Sequence, residues 1–184
     1  QAKIKKANRK SEFLLHDAEY LASYADWITG ENSYPVSKFR DAWKLICLNQ
    51  FHDIIPGSSI GLVYEEALEQ YEQINCIGNT EQNTALKKIH NHLGGDFLIV
   101  NPTSFSQNEI IFISDELLSP DYQIGQMVNL GSFISSGDVP PYSIKPFDIE
   151  SIRIAETEIN DRVFVSKEII ENRFLRVTLN NDGD

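Results

Sequence analysis

Leu48-Asn49-Gln50-Phe51-His52-Asp53-Ile54-Ile55-Pro56-Gly57-Ser58-Ser59 closes one amphipathic stretch, turns at Pro-Gly and opens another. Upstream, Phe39, Trp43, Ile46 and Gln50 recur at helical spacing, with Ala42 and Cys47 beside them. Downstream the same period returns at Val63, Tyr64, Ala67, Tyr71 and Ile74, so two helices meet at this turn. His52 and Asp53 stand side by side at the break. The last carbonyls of a helix lack partners within it and carry partial negative charge, which favours a cation there. An imidazole beside a carboxylate offers ligands or proton carriers for such a site. The plainer reading of the same pair is a helix-end cap or a surface hydrogen bond.

Working outward, a first helix is expected from Ala2 to Ile28. Its seam is Ile4, Ala7, Ser11, Leu14, Ala18, Leu21, Ala25 and Ile28, in alternating steps of three and four. Thr29-Gly30 ends it, and Glu31 to Pro35 forms a loop. Lys3, Lys5, Lys6, Arg9 and Lys10 lie off the seam and read as a solvated face. Ser37 is the expected N-cap of the second helix, which should reach Phe51 or His52. That helix is apolar on several sides, which agrees with a further neighbour covering part of it. Ser58 or Ser59 is expected to cap a third helix. It is soft at Asn75 to Thr80 around Gly78, keeps its register through Ala85, Ile89 and His92, and stops at Gly94-Gly95. Three helices with short connections make an antiparallel bundle. Cys47 and Cys76 fall within the helical patterns and are expected as reduced, core-facing thiols.

After Gly95 the pattern changes. Phe97 to Val100, Ile110 to Ile113, Tyr122 to Val128, Ser143 to Ile154, Asp161 to Ile170 and Arg173 to Leu179 read as short strands. Asn101-Pro102, Ser119-Pro120, Gly137-Asp138 and Pro140-Pro141 punctuate them, the mark of an antiparallel sandwich. The expected architecture is therefore α+β: a three-helix bundle over residues 1–94, then part of a β-sandwich over residues 95–184.

Composition narrows the partners. There are 27 acidic against 16 basic residues, a net charge of −11, which argues against nucleic acid and anionic membrane. Hydrophobic residues make up 41%, enough for a sizeable core, and no apolar run approaches the ~18 residues of a membrane span. The chain opens on Gln1-Ala2-Lys3 and closes on an Asp182-Gly183 hairpin signal with no returning strand. It is expected to be a piece of something longer.

The run from Leu48 to Ser59, with Trp43 before it and Val63-Tyr64 after it, closely resembles the family 38 glycoside hydrolases, the zinc-dependent α-mannosidases. The wording Asn49-Gln50-Phe51-His52-Asp53 is similar to the bacterial and cytosolic branch; the Golgi and lysosomal branch has two adjacent histidines before the aspartate. Val100-Asn101-Pro102, Val139-Pro140-Pro141-Tyr142 and Glu171-Asn172-Arg173-Phe174 also look like landmarks of the family. The resemblance implies a middle helical domain and the start of the β region, following an N-terminal α/β catalytic barrel. It implies a retaining enzyme acting on mannose-containing oligosaccharides, located in the cytoplasm. By position His52 would be the middle domain's ligand to one Zn2+ ion, and Asp53 would contact hydroxyls of the bound sugar. The other ligands, including a His-x-Asp pair, and both catalytic carboxylates would belong to the barrel. No His-x-Asp occurs here, so the stretch alone should hold no catalytic residue, no metal and no activity. A non-catalytic module that binds carbohydrate or a protein is the alternative.

Other candidates have plainer readings. His90 and His92 are two apart, about 200° around a helix, and cannot share a metal unless that helix end is extended. His16 reads as a partly buried or surface residue, Asp115-Glu116 and Asp182 with Asp184 as solvated turns, and Tyr64 with Tyr71 as core. Gln50 is the expected partner orienting His52.

Overall fold

The computed structural model describes residues 2–114, 126–128, 131–148 and 163–180. Three helices, α1 (Ala2–Thr29), α2 (Val36–Asn49) and α3 (Gly61–Leu93), lead the described residues. Cross-contacts fix their directions. Asn8 and Glu19 of α1 meet Gln50 and Trp43 at α2, while Asn49 and Lys38 meet Gln70 and Glu81 of α3. Helix α2 therefore runs antiparallel to both others, and α1 lies parallel to α3. Between them sit Ile4, Leu15, Ala18 and Leu21 of α1, Phe39, Ala42 and Ile46 of α2, and Ala67, Tyr71, Ile74, Ala85 and Ile89 of α3. Each large side chain buried in this way stabilises by about 1.5–3 kcal/mol, so the bundle rests on this seam rather than on helix propensity.

The α1 seam is displaced from the expected one at two places. Asn8 and Leu15 are buried, whereas Ala7 and Leu14 are only half-buried. Asn8 is drawn inward because its Oδ1 accepts from Tyr71 OH at 3.2 Å and Gln50 Nε2 at 3.2 Å. Leu14 lies over Gly78, where the absent side chain lets α1 and α3 close. Helix α3 runs unbroken through the stretch expected to be soft.

Both expected serine caps are corrected. Helix α2 starts behind Pro35, whose carbonyl accepts from Phe39 N–H at 3.2 Å, and Ser37 caps nothing. The Asp26 carboxylate accepts from Ser33 N–H at 2.8 Å, Ser33 Oγ at 2.6 Å and Tyr34 N–H at 2.9 Å, and so delivers Pro35 to the helix start. Proline suits that place because its φ is fixed and it has no N–H to satisfy. The Ser33 hydroxyl, chiefly, holds the Asp26 carboxyl below its ordinary range. Helix α3 starts behind Ile60, not behind either serine. Cys47 and Cys76 are exposed, contrary to expectation. Each follows a buried isoleucine, Ile46 or Ile74, by one or two positions, and 100° of turn per residue carries it off the core stripe.

Eight strands follow among the described residues: β1 (Phe97–Asn101), β2 (Ile110–Ser114), β3 (Gln126–Val128), β4 (Gly131–Ser135), β5 (Ser143–Phe147), β6 (Phe164–Val165), β7 (Ile169–Glu171) and β8 (Arg176–Thr178). They form three small sheets, ordered β1-β5, β2-β4-β3 and β6-β7-β8. Strands β1 and β5 pair antiparallel from Phe97 opposite Phe147 to Asn101 opposite Ser143. The α+β class is as expected; face-to-face packing of two sheets is not among the contacts of the described residues. Positions 115–125, 149–154, 161–162 and 181–184, which include Asp115-Glu116, Asp182-Asp184 and parts of three expected strands, lie outside the described residues.

The chain divides into two compact units. One holds the helices with β1 and β5; the other holds β3, most of β2 and β4, and β6 to β8. In the first unit, Asn101 joins two of the sequence landmarks. Its Nδ2 faces the carbonyls of Phe105, Val139 and Pro140 at 2.8, 3.0 and 2.9 Å, and its Oδ1 accepts from Thr103 N–H at 3.0 Å and Oγ1 at 2.7 Å. Asn101-Pro102 and Val139-Pro140-Pro141 are thus one structure, tied by a buried amide. No helix among the described residues is long and apolar enough to cross a membrane.

Candidate functional site

Helix α2 loses its register at Gln50, whose N–H still reaches Ile46 O at 3.0 Å. The chain then turns tightly: Ile54 and Ile55 N–H donate to Phe51 O at 2.9 and 3.2 Å, and Gly57 N–H to Ile54 O at 3.2 Å. Gly57 takes φ +98°, a conformation that side chains resist, so the Pro56-Gly57 turn requires its glycine. His52 and Asp53 ride on this loop. Their side chains are 77% and 54% exposed, with His52 Nε2 at 3.4 Å from Asp53 Oδ2. The Phe51 ring lies against His52, with centroids 4.2 Å apart.

The loop is held from below through the main chain of Asp53. Its carbonyl accepts from Ser59 Oγ at 2.6 Å and is reached by Ser58 Oγ at 3.4 Å and Tyr64 OH at 3.5 Å. Ser59 N–H donates to Tyr64 OH at 2.9 Å, and Ser58 Oγ also stands 3.3 Å from Asp53 Oδ1. Sequence reasoning found these serines by their capping chemistry but gave them the wrong partner. Nothing in the residue types distinguishes a hydroxyl turned forward to a helix from one turned back to a loop.

Gln50 is also corrected. Its Nε2 donates to Asn8 Oδ1 at 3.2 Å and Glu12 Oε1 at 2.8 Å, so it ties the end of α2 to α1 instead of orienting the imidazole. Tyr71 is core, and Tyr64 is half-buried against it. His16 pairs with its neighbour Asp17 at 3.0 Å on the surface. His90 Nε2 bonds to Gly95 O at 2.8 Å, closing the end of α3, while His92 is exposed.

Among the described residues no group of three or more His, Cys, Asp or Glu side chains is placed to hold a metal ion. A protein zinc site takes three or four nitrogen, sulfur or carboxylate donors. An accessible imidazole with one carboxylate beside it fits a contribution to such a site, not the whole of it. The apolar side chains of Leu48, Phe51, Ile60 and Leu62, before and after the pair, are exposed. A cavity of about 170 Å³ lies at the other end of α2, lined by Ala25, Asp26, Tyr34, Glu81 and Lys88 among others. Its charges satisfy one another, Lys38 with Glu81 at 2.5 Å and Lys88 with Glu31 and with Ser33 Oγ, which leaves it no free group for chemistry.

The bundle exposes two imidazole-carboxylate pairs, His16–Asp17 on α1 and His52–Asp53 on the loop after α2, and among the described residues neither is joined by a third metal-ligating side chain. Residues 1–89 match the family model described as the alpha mannosidase middle domain, so this helical part is a middle-domain fragment of the alpha-mannosidase type of glycoside hydrolase family 38. It is 39% identical over 112 residues to Alpha-mannosidase 2C1 of Homo sapiens, covering 60% of this chain and 11% of that protein. Alpha-mannosidase G of Dictyostelium discoideum is 28% identical over 188 aligned positions, 100% of this chain and 17% of its own length. Alpha-mannosidase of Saccharomyces cerevisiae is 36% identical over 80 residues, 43% of this chain and 7% of its own. The chain thus spans between 7% and 17% of the length of these relatives.

Proposed function

We propose that residues 1–94 are the middle domain, and residues 95–184 the first part of a β-sandwich region, of a cytoplasmic retaining α-mannosidase that releases terminal α-linked mannose from oligosaccharides. His52 contributes its imidazole to a Zn2+ site shared with an N-terminal α/β barrel. Asp53 accepts hydrogen bonds from hydroxyls of the bound sugar, where charge-assisted bonds are strong and directional. When bound, the ion supplies Lewis-acid polarisation of sugar oxygens. The nucleophile and the general acid, a pair of carboxylates in a retaining enzyme, belong to the barrel. The observation that carries this reading is the exposed His52–Asp53 pair, incomplete as a metal site and flanked by the uncovered side chains of Leu48, Phe51, Ile60 and Leu62. Such apolar exposure suits a surface on which another domain rests. The branch wording around His52 supports the cytoplasmic location.

The test is metal content of the full-length parent protein, wild type against His52→Ala, with hydrolysis of an aryl α-mannoside measured alongside. The expected result is about one zinc per chain in the wild type, as a single catalytic site requires, with metal and activity both lost in the variant. Retention of both in His52→Ala would show His52 to be an ordinary helix-end histidine and refute the assignment. The 184-residue chain by itself is expected to hydrolyse nothing.

A further inference from the structure

We propose that Ser59 and Tyr64 are positioning residues for the His52–Asp53 pair, acting through the main-chain carbonyl of Asp53. The proposal rests on the reading of His52 as a metal ligand. Helix α3 begins without a side-chain cap, although two serines, the residue type that best supplies one, stand directly before it. Both hydroxyls point the other way, to Asp53. The sequence thus forgoes the usual local use of these side chains in favour of contacts five and six residues back.

The contact has a fixed base. Tyr64 lies in the first turn of α3 and its ring packs on the bundle core, so its hydroxyl is held in place by the fold. That hydroxyl accepts the Ser59 N–H at 2.9 Å, which orients Ser59, and Ser59 Oγ in turn donates to Asp53 O at 2.6 Å. A peptide plane gripped at its carbonyl has its preceding ψ set, and with it the direction in which the Asp53 side chain leaves the chain. His52, one residue earlier, inherits the same frame. Neither side chain is packed into the core, so their aim depends on the loop that carries them. Groups that orient a metal ligand from behind typically change metal affinity about 10–100-fold when removed.

The experiment uses the full-length parent protein with zinc, and the variants Ser59→Ala, Tyr64→Phe, Ser59→Thr and His52→Ala. Zinc affinity is read by competition with a chelator, KM and kcat on an aryl α-mannoside, and the unfolding midpoint on the metal-free protein. Amide hydrogen exchange at Phe51 to Gly57 is read on the 184-residue chain. Ser59→Ala and Tyr64→Phe are expected to weaken zinc binding about tenfold, to lower kcat more than they raise KM, and to speed exchange in the loop. The metal-free midpoint should stay unchanged, and Ser59→Thr, which keeps the hydroxyl, should behave as wild type. Wild-type zinc affinity and loop exchange in both Ser59→Ala and Tyr64→Phe, with zinc lost in His52→Ala, would overturn the proposal while the metal assignment stands. Zinc retained in His52→Ala would bring down the assignment and the proposal with it.

Discussion

Gly78→Ala tests the closeness of α1 and α3. A Cβ at Gly78 would stand 2.6 Å from Leu14 Cγ and 2.7 Å from Leu14 Cδ2, well inside ordinary contact. Two effects oppose each other. Replacing a mid-helix glycine by alanine favours the helix by about 0.8–1 kcal/mol. Forcing an extra carbon into a closed contact costs about 1–3 kcal/mol. Leu14 can yield only partly, because it is itself half-buried between the helices. The net expectation is a loss of about 1 kcal/mol, the middle of the difference between those ranges. In a Leu14→Ala background the obstacle is gone, and the same substitution should instead stabilise by nearly the full propensity gain. The two-position cycle should therefore show a coupling of about 2 kcal/mol, within the range for residues in direct contact. Urea unfolding followed by the helical signal at 222 nm measures all four proteins. Equal stabilisation by Gly78→Ala in both backgrounds would mean that α1 and α3 do not touch at Leu14, and would refute the packing argument.

Glu19 accepts from Tyr34 OH at 2.8 Å and Trp43 Nε1 at 2.9 Å, so Glu19→Ala should cost about 1–3 kcal/mol. It should also shift Trp43 emission to the red in a Trp27→Phe background; unchanged emission would count against the bond. Burial pushes the phenols of Tyr20, Tyr34 and Tyr71 from 10.0 up to about 12, with Tyr24, Glu19 and Glu12 respectively adding to it. The unfolded chain therefore ionises these groups first as pH passes 10, so the stability they hold is intact below pH 10 and gone by about pH 12. Absorbance at 295 nm and helical ellipticity should move together over that window, and a phenolate rise completed before any helix is lost would contradict the burial of these rings. The Asp26 carboxyl is shifted the other way, chiefly by the Ser33 hydroxyl. Its contribution is present above the ordinary aspartate range and lost as pH falls through the lowered value. Asp26→Asn should then flatten the acid limb of a stability-versus-pH curve, and an unaltered limb would show that the loop before Pro35 does not depend on that carboxylate.

Helix placement was legible because the core stripes on α1, α2 and α3 repeat at 3.6 residues with glycine stops at Gly30 and Gly94. What periodicity could not show was which polar residue would be pulled inward. Asn8 takes the place expected for Ala7 because Gln50 and Tyr71 both need its oxygen, and those partners lie 42 and 63 residues away. The serines before α3 are expected to cap that helix and Gln50 to orient His52, and both bond elsewhere for the same reason: hydrogen-bond partners are set by the fold, not by residue type. Strand β4 was missed because Gly131-Ser132-Phe133-Ile134-Ser135 has the composition of a turn, and its pairing with β3 is what makes it a strand. At the site, spacing alone could suggest no more than a helix-end pair. The expectation of a metal ligand rests on the wording of the surrounding residues alone.

Helix α3 is 33 residues in one piece, a rod of about 50 Å. The grip on Asp53 is at its first turn, and Gly94 and Gly95, both at positive φ, join its far end to β1. A rod of that length is a lever: one degree of tilt about the glycine end would sweep the loop end through about 0.9 Å. Ligand distances at a zinc ion tolerate about 0.2 Å. The Leu14–Gly78 contact, halfway along, is then a fulcrum as well as a packing detail, because it divides the lever arm in two. Loosening it would move the loop that carries His52 and Asp53 from a distance, without altering a single residue of that loop.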